Sequence, residues 1–229
     1  MVKYFSVTAG NERTPAMKKI IAIMLISLIV LSAFCACGKK TEDETYTDIV
    51  TAAPGETAKA GEHTRILFTM ENGGTFTIEL YPEYAPKTCE NFEKLVRQGF
   101  YDGLTFHRVM AGFMAQGGDP NGNGTGGAPE TIPGEFANNG FEQNTLSHTR
   151  GVVSMARNSF NMDSASSQFF ICYTDNHTSS LDGNYAAFGK VIDGMETVDD
   201  FLKVHMLPNG NEVSKPATPI VIKSAVVVE

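Results

Sequence analysis

Tryptophan is absent from the 229 residues. No binding rim can therefore offer an indole face or an indole N–H. Positive charge is scarce: 18 Lys and Arg stand against 26 Asp and Glu, a formal charge of −8 at neutral pH. The N-terminal stretch holds Lys3, Arg13, Lys18 and Lys19 against Glu12, so the remainder of the chain is more acidic still. A phosphate backbone would repel such a surface, which excludes nucleic acid as a partner. The histidines, His63, His107, His148, His177 and His205, are dispersed and show no metal-ligand spacing. What the chain does have is 42% apolar residues, enough for a packed core, with 22 Gly and 10 Pro to make many turns. That balance suits an all-β design better than a helix bundle. The length allows one ordinary domain with extra segments, or two small domains.

Long apolar runs are also few. The main one is Ile20–Phe34, preceded by Lys18 and Lys19. A positive region followed by an uncharged apolar one reads as an export signal, slightly shorter than the roughly 20 residues of a comfortable membrane span. Ala36-Cys37-Gly38 follows. A small residue directly before a Cys resembles the lipobox of bacterial lipoproteins, in which the Cys is acylated and becomes the new N-terminus. Phe34 stands where a Leu is usual. The expected organisation is a signal peptide at 1–36, with lipidation at Cys37. Cys35 is the alternative acylation site, and an uncleaved signal anchor the alternative to processing. Either outcome places the remainder outside the cytoplasmic membrane, lipid-anchored on the extracytoplasmic face in the first case. Met17-Lys-Lys reads as a more natural start than Met1, which makes 1–16 a mis-assigned extension. Residues 37–63 are mostly Thr, Ala, Glu and Asp, lack apolar periodicity, and read as a flexible tether. Residues 64–229 form one domain without an internal repeat.

Within that domain, Thr64–Met70 and Thr75–Tyr81 flank the turn signal Glu71-Asn-Gly-Gly74 and predict a β-hairpin. Pro86–Gln98, with Pro at its start and Gly99 after its end, predicts a helix whose Phe92, Leu95 and Val96 share a face. Short apolar runs at 104–109, 151–156, 168–172, 186–191 and 220–228 predict further strands, and 196–204 a second helix. Many short strands with two helices predict a closed antiparallel barrel with helices at its ends.

Three ordered blocks carry the chemistry. They are Phe106-His-Arg-Val-Met-Ala-Gly-Phe-Met-Ala-Gln-Gly-Gly-Asp119, then Ser154-Met-Ala156 with Ser167-Gln-Phe-Phe-Ile-Cys172, then Leu181-Asp-Gly-Asn-Tyr-Ala-Ala-Phe-Gly-Lys-Val191. At this spacing the chain resembles the cyclophilin family of peptidyl-prolyl cis–trans isomerases over essentially all of 64–229. The stretch Thr149–Arg157 is similar to the bacterial branch. The resemblance implies an all-β fold, a closed eight-stranded antiparallel barrel capped by two α-helices. It implies isomerisation of X–Pro bonds in segments of exported proteins, with no cofactor, no metal and a monomeric state. By position, Arg108 matches the catalytic arginine, with Phe113 and Gln116 beside it. Phe113, Met114, Phe170 and Leu181 match the proline pocket. Gln168, Gly124, Ala156 and Arg157 match the substrate groove, Arg157 where many members have Asn. Tyr185 stands where eukaryotic members have His, and Ser180 where they have a rim Trp. The latter implies weak cyclosporin binding with catalysis retained.

These residue types suit such a reaction. An isomerase must bind the twisted amide better than the planar one, and a permanently charged donor fork opposite an apolar socket can do so. A binding module that holds Pro-containing segments in the same groove is the other function class; the intact set of Arg108, Phe113, Gln116 and Phe170 favours the enzyme.

Weaker signals have plainer explanations. Asp119-Pro-Asn-Gly-Asn-Gly124 through Glu130 fits a calcium-loop pattern but has no flanking helices, and reads as a glycine-rich turn lining the groove. His107 and His148 lie beside strands and are expected to be hydrogen-bonded structural residues. Cys89 and Cys172 read as buried free thiols, with a disulfide as the alternative in an exported protein.

Overall fold

The computed structural model describes residues 63–228. The signal peptide, the acylation site at Cys37 and nearly all of the tether lie outside the described residues. Among those described, no helix is long and apolar enough to cross a membrane.

Strands β1 (Arg65–Met70) and β2 (Thr75–Leu80) form the expected hairpin. Their alternate side chains, Ile66, Phe68 and Met70 opposite Phe76, Ile78 and Leu80, are buried, as period-two patterning demands. Phe68 and Phe76 pair directly across the ladder and stack at 4.9 Å. Helix α1 (Pro86–Arg97) then covers one end of the sheet with Cys89, Phe92, Leu95 and Val96. Phe92 is the hub: its ring lies 4.8 to 5.3 Å from those of Phe188, Tyr101 and Phe169. Each such fully buried side chain contributes about 1.5–3 kcal/mol.

The remaining strands of the large sheet are β3 (Arg108–Met110), β4 (Met114–Gly117), β5 (Val152–Met155), β6 (Phe169–Cys172), β7 (Ala187–Asp193) and β10 (Ile222–Val228). Between β7 and β10 lie helix α3 (Met195–Asp200) and a hairpin of β8 (Met206–Asn209) and β9 (Glu212–Pro216). The sheet order is β10-β1-β2-β7-β5-β6-β4-β3, with every pairing antiparallel. The result is an all-β, curled eight-stranded sheet. The expected closed ladder does not form: β3 and β10 do not pair. The segment before β3 instead meets that before β10 through an isolated bridge, Thr105 to Val221, with Phe106 N–H donating to the Ile220 carbonyl at 3.0 Å.

Three further expectations need correcting. The run at 104–109 supplies its ladder only from Arg108 onward, because the preceding residues turn to meet Ile220–Ile222. The second helix stops at Asp200 and tightens into a 3-10 turn over Phe201–Lys203. Among the described residues, a one-turn helix, α2 (Thr178–Leu181), makes three α-helices rather than two. Neither α2 nor the β8–β9 hairpin is signalled by the sequence pattern; both are short, and β8–β9 is mostly exposed, leaving little apolar periodicity to read.

The start of α1 is held by a distant group. Ala85 offers no side-chain cap. Instead the buried Glu135 carboxylate accepts from the N–H groups of Lys87 at 2.9 Å and Thr88 at 2.8 Å, and from the Thr88 hydroxyl at 2.7 Å. This satisfies orphan helix donors and sets a negative charge at the positive end of the helix dipole.

Candidate functional site

The site is the outer face of four strands whose inner face is core. Val109, Ala115, Ile171 and Val153 pair in a row across β3, β4, β6 and β5, all fully buried in the core. One residue along each strand, Arg108, Gln116, Phe170 and Ser154 pair in a parallel row on the opposite face. Because directly paired residues share a face, this register alone brings Arg108, Gln116 and Phe170 together.

Two adjoining pockets open on that face. The first, about 260 Å³, is lined by Arg108, Phe113, Met114, Gln116, Ala156, Arg157, Phe170, Leu181 and Tyr185. The second, about 500 Å³, shares Gln116, Ala156 and Arg157 with it and adds Gly124 and Gln168. The candidate catalytic and substrate-binding residues, from Arg108 to Tyr185, therefore line one groove. Its apolar part is a small cluster separate from the main core: Met114, Phe170, Cys172 and Leu181, with Phe113 and Tyr185 packed against it. Tyr185 meets Phe170 edge-to-face at 5.8 Å. Ser180, exposed on α2, does not line either pocket; its hydroxyl donates to the His177 carbonyl.

A polar chain runs along the groove. Arg108 Nη1 donates to Gln116 Oε1 at 3.3 Å. Gln116 Nε2 donates to Gln168 Oε1 at 2.9 Å, and Gln168 Nε2 to the Gly126 carbonyl at 2.7 Å. Arg108 also stands 5.8 Å from the centre of the Phe113 ring. On its far side, Nε and Nη2 donate to the two carboxylate oxygens of Glu212 on β9, at 2.5 and 2.8 Å. The Arg108 fork holds the Glu212 carboxyl below the usual carboxylate range, against a smaller opposing effect of burial. Glu212 carries no signal in the sequence, because it lies in a short, mostly exposed hairpin 104 residues from its partner.

Arg157 is held by backbone: Nε donates to the Asn184 carbonyl and Nη1 to that of Asn158, each at 3.0 Å. Its guanidinium lies 4.7 Å from the Tyr185 ring centre and 5.2 Å from that of Phe136, a favourable cation–aromatic arrangement. The loop following β4 supplies the groove wall. Gly118 takes φ +82, and a side chain there would collide with the Ser167 carbonyl. Asp119 is spent on the loop itself, accepting from the N–H groups of Asn121, Asn123 and Gly124.

Beneath Phe170 lies a second feature that sequence spacing did not reveal. The fully buried His148 ring stacks on Phe170 at 6.0 Å. Its Nδ1–H donates to Asp182 at 2.7 Å, and its Nε2 accepts from the Ser154 hydroxyl at 2.9 Å. Burial pushes the imidazole down from its ordinary value, against the raising effect of Asp182, so it stays neutral. Ser154 is itself fully buried, so this Ser–His–Asp line meets no substrate and serves as a prop for the pocket floor. His148 thus has the partners expected of it. His107 does not: it is buried, yet neither ring nitrogen meets a hydrogen-bond partner. Cys89 and Cys172 are free and buried, and burial pushes both thiols up to about 12, which keeps them protonated and unreactive.

The family model for cyclophilin type peptidyl-prolyl cis-trans isomerase matches residues 65–227. Peptidyl-prolyl cis-trans isomerase B of Bacillus subtilis is 48% identical over 129 residues, covering 56% of this chain and 84% of that protein. Peptidyl-prolyl cis-trans isomerase-like 3 of Homo sapiens is 43% identical over 150 residues, covering 66% and 88%. Among solved structures, a cyclophilin type peptidyl-prolyl cis-trans isomerase of Cryptosporidium parvum is similar with TM-score 0.64 and 31% identity, covering 73% of this chain and 99% of that one. The same protein in the presence of the dipeptide Ala-Pro is similar with TM-score 0.62 and 32% identity, covering 72% and 99%.

Proposed function

The chain belongs to the cyclophilin-type peptidyl-prolyl cis–trans isomerase family, and from that premise we propose that Arg108 is the donor that stabilises the twisted prolyl amide. The activity itself is peptidyl-prolyl isomerisation. Its barrier of ~20 kcal/mol is the loss of C–N resonance. X–Pro bonds are the ones worth accelerating, because cis is accessible there but slow to reach. No covalent step is needed. In the twisted form the proline nitrogen becomes pyramidal and accepts a hydrogen bond that the planar amide cannot. A fixed guanidinium, aimed in advance, stabilises that form selectively. The observation that carries the reading is that Arg108 shares one pocket with the apolar surface of Met114, Phe170 and Leu181. The proline ring sits on that surface with its nitrogen toward Arg108, while Gln116 and Gln168 line the path of the flanking backbone.

A protease-coupled assay on a Pro tetrapeptide tests this. Arg108→Ala should lower kcat/KM by about tenfold or more with the fold intact, and Arg108→Lys should also be impaired, since an ammonium cannot reproduce the planar fork. Full activity in both variants would remove Arg108 from the mechanism.

The same reading extends to place. The sequence from Lys18 to Cys37 supports export followed by acylation of Cys37, which leaves a monomeric isomerase tethered at the outer face of a bacterial membrane, where Pro-containing segments of exported proteins fold. A single myristoyl-like chain binds a membrane only marginally, whereas a diacylglyceryl Cys anchors stably. Cys37→Ser should abolish the anchor and change processing; a variant that fractionates and migrates like the wild type would refute the anchor.

A further inference from the structure

The geometry points to Glu212 as a positioning residue for the isomerase reaction: it fixes the plane of the Arg108 guanidinium so that its free edge faces the prolyl pocket. This rests on Arg108 being the donor. An arginine side chain has several rotatable bonds, and a half-buried one at a groove edge would sample many orientations. Here the carboxylate grips the fork at Nε and Nη2 with two parallel bonds of 2.5 and 2.8 Å. Such bidentate pairing fixes a plane, which a single contact cannot do. Gln116 takes one hydrogen of Nη1. The other Nη1 hydrogen meets only the weak acceptor Met114 Sδ, at 3.9 Å, and one hydrogen on Nη2 is uncommitted, so both can turn to a substrate.

Glu212 is itself immobilised. The buried Ser214 hydroxyl donates to its Oε1 at 2.6 Å, and Asn209 Nδ2 donates to Ser214 at 3.2 Å. Asn209 and Ser214 belong to β8 and β9, so the hairpin forms a bracket that reaches across to β3. Each partner of the ion pair keeps only 27% of its side-chain exposure, so solvent competes weakly for the contact. Pre-set orientation of this kind lowers the barrier because no reorganisation is left for the reaction to perform.

The test is a double-mutant cycle on the full chain, with kcat and KM for a Pro tetrapeptide and the thermal midpoint recorded for each variant. Glu212→Ala should lower kcat/KM by about fivefold or more, through kcat rather than KM, since the pocket floor is untouched. Glu212→Gln, which keeps the shape and one acceptor, should lose less. It carries the test if the Ala variant folds poorly. Added to Arg108→Ala, Glu212→Ala should cost nothing further, because the residue it positions is gone. Unchanged or raised activity in Glu212→Ala, or the same fold-loss in both backgrounds, would overturn the proposal while leaving Arg108 as the donor. Full activity in Arg108→Ala alone would instead overturn the reading on which it rests.

Discussion

The two faces of strands β3 to β6 are built from residues one position apart, yet they answer to different demands. Val109, Ala115, Ile171 and Val153 face the main core and are fully buried in it. Arg108, Gln116 and Phe170 face a groove where part of the surface is left open. The inner row is apolar and fully buried, so its contribution is to stability. The outer row is mixed and half-open, so its contribution is to binding a shape that the free protein lacks. The floor of the site therefore needs no strands of its own. It is the reverse side of the core, and its precision comes from the rigidity of what lies behind it.

Substitutions on the two faces should therefore separate stability from catalysis. The largest effect expected is on the inner face. Ile171→Ala should destabilise the fold by about 2–5 kcal/mol, from lost burial plus the cavity left behind, as read by urea unfolding. Its kcat/KM at low temperature, per folded molecule, should stay near that of the wild type. Arg108→Ala should do the reverse, losing about tenfold or more in activity with little change in the unfolding midpoint. If Ile171→Ala abolishes activity while the protein remains folded, the separation of the two faces fails.

Acid offers a second, smaller separation. Glu212 has its carboxyl held below the ordinary value of 4.5, chiefly by the Arg108 fork. A depressed value means that the pair is present above the unfolded-state pKa and is lost as pH falls through the folded-state one. The charged group facing Glu212 from β3 is Arg108, β8 contributes none, and Lys215 is the charged residue on its own strand. The rate profile should therefore be flat from pH 7 to about 5 and fall only below about pH 4.5. Asp182 adds an acid-labile stability contribution of the same sign. Burial raises its carboxyl, but hydrogen bonds from Ser147 and His148 outweigh that and leave it lowered. Circular dichroism in parallel separates loss of rate from loss of fold. A rate that already declines between pH 7 and 6 would implicate a histidine and not Glu212.

The smallest effect on turnover belongs to the rim. Ser180 is exposed and lines neither pocket, whereas its neighbour Leu181 lines the first. Ser180→Trp should change kcat/KM by no more than about twofold, yet tighten cyclosporin inhibition by up to about thirtyfold, because a large rim contact reaches a bulky ligand and not a proline ring. Equal changes in both quantities would show that rim and floor act as one surface.

Much of this was legible in the sequence for definite reasons. An apolar-rich run and a strictly alternating one flank Glu71-Asn-Gly-Gly74, and α1 is bracketed by Pro86 and Gly99, so local chemistry alone marks both hairpin and helix. The groove residues from Arg108 to Tyr185 fall in blocks whose spacing carries a family resemblance, and the fold brings them together. What escaped has no local signal. The cap on α1 comes from Glu135, 47 residues from Thr88. The prop under Phe170 joins His148, Ser154 and Asp182 from three segments. The Glu212 carboxylate sits in a short, exposed hairpin and meets Arg108 only because β9 is carried across to β3. The sequence by itself determined which residues alternate inward and which turns are possible, because those depend on strand period and backbone sterics within a few residues. Only the tertiary structure decided whether the sheet edges pair, which carboxylate caps which helix, and which acid grips the arginine. Those contacts depend on the register and curl of the whole sheet, to which no single segment holds the information.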